Sequence, residues 1–244
     1  MMHDESSPDE LDDNFHDTLV AIGKGAAGAI PLVGGILGEI VGMKIPGQRA
    51  DRISAYLRTL AKHVDDLTDE LRGELASNAE KIDLIEEGGF QSSRATSSER
   101  IGQIVEAVSR GLSESDSDII RRKRLLVIFG QLDDDEVNLL NAYGRSYAGV
   151  DRQAFGRVNR PDPPHLSAPP RVFEQNQLYD AGKEHLLRLG LLEKKYNDVR
   201  KGETPEFDAR KGDFKHHVQI SHLGRMLLRE IGMETPFDAQ QTTR

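Results

Sequence analysis

The sequence predicts a mainly α-helical protein: an N-terminal helical bundle that contains a tight hairpin of small residues, and a small α+β C-terminal domain. Three observations predict it. Apolar residues recur at three- and four-residue spacing through much of the chain before residue 148. Glycines recur at four-residue spacing inside a nearly uncharged run. After a proline-rich stretch, the pattern becomes a helix, two strand-like segments around a polar loop, and a last helix.

Composition sets the bounds. At 244 residues the chain can bury one sizeable core or two small ones. Charged residues make up 30% and hydrophobic ones 37%, which suits helices with well-solvated outer faces. Aromatics are only 5% and Trp is absent, which argues against a carbohydrate site or a base-stacking platform. With no cysteine, disulfides and Cys-based metal or nucleophile sites are excluded, and a reducing compartment fits. The formal net charge is −9, yet Asp4, Glu5, Asp9, Glu10, Asp12 and Asp13 crowd the start. A tail of that composition, residues 1–17, is expected to be disordered. The remainder is mildly acidic and by itself argues neither for nor against nucleic acid. An acidic start lacks the basic region of a secretory signal, so a cytoplasmic location is expected, with membrane association left open.

The predicted helical domain covers 18–148. Its first part, TLVAIGKGAAGAIPLVGGILGEIVGMKI, carries one charge, Glu39, between Gly25 and Met43. As one helix this run would span roughly 28 Å at about 1.5 Å per residue, close to a hydrocarbon core. Pro31 interrupts it, which predicts two short helices that meet near Ile30. Ala21, Gly25 and Ala29 line one face of the first; Gly34, Gly38 and Gly42 line one face of the second. Glycine costs a helix up to about 1 kcal/mol against alanine, so three in register imply close packing that compensates. This glycine-zipper hairpin reads either as a packed part of a soluble bundle or as a membrane-active or oligomerising segment.

An amphipathic helix is expected from Arg49 to Arg72, with Ile53, Tyr56, Leu57, Leu60, Val64, Leu67 and Leu71 as its apolar stripe. A short helix from Asn78 to Glu87 should close at Gly88-Gly89. Thr96-Ser-Ser-Glu99 has the spacing of a capping box for a helix that buries Ile101, Ile104, Val105, Val108 and Leu112. Another helix begins near Ser115 to Asp118, and Asp133 is placed to cap one that carries Val137, Leu140 and Tyr143. Residues 149–170, with five prolines in RPDPPHLSAPP, read as a connector and the domain boundary. The C-terminal domain is then 171–233, followed by a tail at 234–244.

No motif for catalysis, cofactor or metal emerges, so no cofactor is expected and the chain reads as non-enzymatic. Gly23-Lys24 lacks the first glycine of a phosphate loop and the Ser or Thr that follows its lysine. His216 and His217 are adjacent, so in a strand they point to opposite faces. Asp133, Asp134 and Asp135 lack the alternating ligands and turn glycine of a calcium loop. Arg121, Arg122, Lys123 and Arg124 form the densest basic cluster. Arg121, Arg122 and Arg124 are candidate contacts for phosphate or anionic lipid; pairing with Glu114, Asp116 and Asp118 is the plainer alternative.

At the C-terminus, a helix that ends in LRLGLL, strands LLEKKY and FKHHVQIS around a polar loop, and a helix capped by Ser221 follow the order of a winged-helix domain. In a DNA-binding example, Lys183 and Arg188 would face the major groove. Arg200, Lys201, Arg210 and Lys211 would approach phosphate. Glu184, Glu193, Glu203, Glu206, Asp208 and Asp213 nearly neutralise them, which favours packing or protein contact.

The IPLVGGILGEIVG segment with its following charged helix, the LDDDEVNLL segment and the LRLGLL…VQISHLGRMLL ending resemble the bacterial alpha-helical abortive-infection family (Abi-alpha). The resemblance implies phage defence and carries no catalytic residues over. The expectation is therefore a non-enzymatic defence protein that acts through a membrane-active or oligomerising hairpin. Gly25, Gly34, Gly38 and Gly42 would be its working residues, with self-association or a protein partner and less expectation of nucleic acid. The alternative is a winged-helix DNA-binding regulator.

Overall fold

A computed structural model describes residues 47–65, 78–113, 116–146, 151–196, 199, 202–209, 212–233, 235, 236 and 238. The acidic tail and the glycine hairpin, with Gly25, Gly34, Gly38 and Gly42, lie outside the described residues, as does the end of the expected 49–72 helix. The chain is mainly helical, with a small region of antiparallel strands near its C-terminus. It divides into two compact units, one ending at Gly130 and the other starting at Gln131.

Among the described residues of the first unit, four helices pack around one apolar core: α1 (Gly47–Asp65), α2 (Ala79–Ser93), α3 (Ser98–Leu112) and α4 (Asp116–Phe129). The α1 stripe goes in as its spacing requires, with Ile53, Tyr56, Leu57, Leu60 and Val64 buried. Each such side chain contributes roughly 1.5–3 kcal/mol relative to exposure. Two arginines close helix ends against this core. Arg52 donates to the carbonyls of Ser93 and Ala95 at 3.0 Å, at the end of α2. Arg100 donates to the Phe129 carbonyl at 2.7 Å and lies 3.6 Å above the Phe129 ring, which ties the start of α3 to the end of α4. Cations at carboxyl ends of helices offset the unpaired carbonyls there.

Two boundaries differ from expectation. The helix that opens at Asn78 does not stop at Gly88-Gly89 but runs on to Ser93. Gly88 is there for space: a Cβ would fall 2.7 Å from Val108 Cγ2 and 2.9 Å from Tyr56 Cζ. Tyr56 is fully buried and donates its hydroxyl to the Ile85 carbonyl at 3.0 Å. Burial pushes that phenol's pKa above its ordinary value. Gly88→Ala should therefore destabilise the protein by about 1–2 kcal/mol, although helix propensity alone favours alanine. A Tm equal to or above wild type would refute this close approach. The second difference is the cap of α3, which is Ser97 rather than Thr96. Ser97 accepts from the Arg100 amide at 3.1 Å, so Glu99 is not placed to close a box.

The second unit holds α5 (Asp134–Arg145), a 3-10 turn (Ala154–Arg157), α6 (Pro170–Arg188), β1 (Leu192–Tyr196), β2 (Phe207–Asp208), β3 (Asp213–Phe214), β4 (His216–Ile220) and α7 (His222–Glu230). Asp133 and Glu136 form a full capping box at the start of α5. Gly190, at φ 72°, turns the chain from α6 into β1. Strands β1 and β4 pair antiparallel, Leu192 opposite Ile220 and Tyr196 opposite His216. A second small hairpin, β2 with β3, stacks Phe207, in the stretch read as a polar loop, edge-on against Phe214, the first residue of the strand-like FKHHVQIS. Ser221 caps α7 and accepts from the Gly224 amide at 3.0 Å.

The division between Gly130 and Gln131 falls before α5, not inside the expected connector at 149–170. The reason is packing. α5 contacts α6, α7, β4 and the 3-10 turn. Tyr143 meets Phe155 edge-on at 5.3 Å, and Asn176 on α6 donates to the Asp162 carbonyl at 2.8 Å. The proline-rich stretch is thus fastened along the unit at both of these points.

Candidate functional site

The features on which chemistry or binding could rest in the described residues are the basic positions and a cleft in the second unit. On α4, four consecutive basic residues wrap round the helix, so they do not form one patch. Arg121 pairs with Asp118 at 2.9 Å and Lys123 pairs with Asp83 on α2. Arg122 is half-buried, and Arg124 is exposed. Pairing thus takes up Arg121, through Asp118; Glu114 and the Asp116 side chain lie outside what is described.

In the second unit, Lys183 is half-buried with its ammonium 5.9 Å from the Tyr143 ring centre, while Arg188 is exposed in the last turn of α6. Lys194 donates to Asp213 at 2.9 Å; that bond raises the lysine's pKa and lowers the carboxyl's. Lys215 pairs with Glu206, which raises its pKa. Gln219 donates to Glu193 across the β1–β4 pair at 2.6 Å. Lys194 and Lys215 are therefore met by carboxylates of the same unit, while Lys195 on β1 is exposed. Arg200, Lys201, Arg210 and Lys211 lie outside the described residues.

A cleft of about 640 Å³ opens between the start of α5, residues 158–162 and the middle of α6. Leu139, Val158, Pro161 and Leu178 supply apolar wall, and Asp133, Asp135, Glu136 and Asp162 supply carboxylates against a single cation, Arg160. Glu136 is committed twice. Its carboxylate accepts from the Asp133 amide at 3.0 Å and stands 2.7 Å from His185 Nδ1 on α6. Gly182 leaves room for it, since a Cβ there would meet Glu136 Cγ at 3.4 Å. The pair thus fastens α6 to the cap of α5, and the carboxylates at the mouth, Asp135 and Asp162, face solvent. Tyr179 lines the same cleft, and partial burial raises its phenol pKa.

The α6 helix itself buries only Leu186. Leu178 is 74% exposed and Phe173 45%, and Leu166 before the helix is fully exposed. A concentration of large apolar side chains on one exposed element is what interaction surfaces display. Sequence reading passed over this surface and the Glu136–His185 pair alike. Residues 136 and 185 are far apart in sequence, and nothing in the spacing of Phe173 and Leu178 separates an outward apolar residue from an inward one.

Among the described residues, no group of three or more His, Cys, Asp or Glu is placed to hold a metal ion. No described helix is long and apolar enough to cross a membrane. No family model matches the chain, and neither a curated protein nor a solved structure matches it.

Proposed function

We propose that the chain is a non-enzymatic phage-defence protein of the abortive-infection type that works by association. Its glycine-rich segment acts as a membrane-active or oligomerising hairpin, and its C-terminal unit, winged-helix-like in the order of its elements, serves protein contact. The observation that carries the reading is the pairing of Lys194 and Lys215 with carboxylates while Leu178, Phe173 and Leu166 stay exposed. A duplex-binding surface needs cations free for phosphate; a protein-binding surface needs exposed apolar anchors. The resemblance in sequence supplies the setting of phage infection.

The test is a phage challenge of bacteria that express the full chain. Plaque numbers should fall, membrane potential should collapse on infection, and Gly34→Leu/Gly38→Leu/Gly42→Leu should abolish both effects. Plaque numbers equal to those of the empty vector would overturn the reading. The rival, a DNA-binding regulator, draws on the same order of elements and on the exposure of Arg188 and Lys195. The full chain should show no micromolar binding to mixed-sequence duplex at moderate salt. Binding that weakens steeply with salt and is lost in Arg188→Ala would make the regulator the better reading.

A further inference from the structure

The first unit carries three exposed large apolar residues among those described, and two of them share one face of α4. Ile120 is 60% exposed and Val127 40%. Arg124 lies four residues after Ile120 and three before Val127, which places all three on one side of the helix. The inward side is Ile119, Leu125, Leu126 and Phe129, all buried. This outward face is therefore an apolar ridge with a cation in its middle, and Arg124 is exposed there. An isolated exposed Ile needs no explanation, but an ordered row with a charge at its centre has the form of a docking element.

The cleft of the second unit has the complementary character. Leu139, Val158 and Pro161 give it an apolar strip among polar walls, its exposed lip is Leu178, and its mouth carries Asp135 and Asp162. We infer that a second copy of this chain is the cleft's occupant, seating its α4 ridge of Ile120, Arg124 and Val127 between α5 and α6. Apolar ridge meets apolar strip, and Arg124 meets the carboxylates at the mouth. At about 640 Å³ the cleft has room for several side chains but not for a whole helix, which fits a ridge laid along its mouth. Fixed walls favour such binding, because little ordering entropy is spent. The capping box of α5, the Glu136–His185 pair and the Asn176 bond to Asp162 hold this cleft in shape.

Such a contact joins different surfaces of the two copies, so it either closes as a reciprocal pair or propagates into a ring or a filament. It gives the association reading above a named surface and rests on that reading, though not on its phage setting.

The test uses the full-length protein in sedimentation velocity over a wide concentration range. Wild type should self-associate, and its assembly should weaken with salt because part of the attraction is between charges near the surface. Ile120→Asp disables the ridge and Leu178→Asp disables the cleft; both positions are exposed, so both variants should fold with wild-type Tm. Each alone should associate at least tenfold more weakly than wild type. Mixed one to one, they retain one working ridge and one working cleft, and should form a heterodimer that grows no further. A monomeric wild type, variants that assemble as wild type does, or a mixture with no heterodimer would each overturn the inference. Plaque protection is measured separately, so protection without this contact sinks the docking surface and leaves the defence reading standing.

Discussion

Gly224→Ala should destabilise the C-terminal unit by about 2 kcal/mol or more, a Tm fall of about 10 °C for a unit of this size. The sign is the informative part. Gly224 lies inside α7, where alanine is the better helix former by about 1 kcal/mol, so propensity alone predicts a gain. Space predicts the opposite. A Cβ at 224 would collide with the carbonyl oxygen of Leu191 and lie 2.9 Å from Ile220 Cγ1. A flexible side chain could swing away; a backbone carbonyl cannot. That carbonyl also accepts the Ser221 amide at 3.0 Å, so any retreat weakens the joint that sets α7 against β1. Thermal melts of the full chain, followed by hydrogen exchange over residues 191–230, decide it. An unchanged or higher Tm would mean that α7 stands further from β1 than this packing allows.

Gly224 and Gly88 also show where sequence reading succeeds and where it stops. Signals that act within a few residues were legible. Asp133 before α5, Ser221 before α7 and the apolar stripe of α1 each carry their own cause in neighbouring residues. The strand pair was legible too, because LLEKKY and FKHHVQIS are bounded by a turn and a cap. Gly88-Gly89 misled because a glycine can mean a helix stop or a close approach, and only Tyr56 and Val108, both distant in sequence, decide between them. The division at Gly130 was hidden for the same reason. The proline-rich stretch looks like a linker until Phe155 and Asp162 find Tyr143 and Asn176.

The basic residues follow the same rule at the level of the site. Sequence places Arg121, Arg122, Lys123 and Arg124 side by side, yet helical geometry sends them to different sides of α4. Lys123 turns to Asp83 on α2, Arg121 to Asp118 one turn back, and Arg124 to the outer face. A run of like charge is therefore poor evidence of a single anion site when it lies on a helix. Exposed apolar residues at the helical period, such as Ile120 and Val127, say more about partners once the inward face is known.

Glu136→Ala should be the costliest loss of a polar side chain among those that line the cleft, at about 1–3 kcal/mol. Glu136 is 8% exposed, and its two oxygens serve two separate donors. One accepts from the Asp133 amide and completes the capping box; the other stands 2.7 Å from His185 Nδ1 and links α5 to α6. Alanine leaves both donors without this partner; both bonds are only part-buried beside the open cleft, so water restores part of what is lost. An unsatisfied buried donor costs about 1–3 kcal/mol, whereas the bond itself contributes less, so the damage comes from what is left behind. His185→Ala removes the donor together with its need and should cost less. The double variant should then lie well short of the sum, with a coupling of about 1 kcal/mol or more. Urea unfolding of the four proteins measures it, with hydrogen exchange placing the loss in α5 and α6. Additive losses would mean that the two side chains do not act on one another, and α6 would need another anchor to α5. If the coupling is present, Glu136→Ala should also spoil the cleft, and with it the assembly that wild type forms, while Ile120→Asp spoils assembly and leaves the melt unchanged.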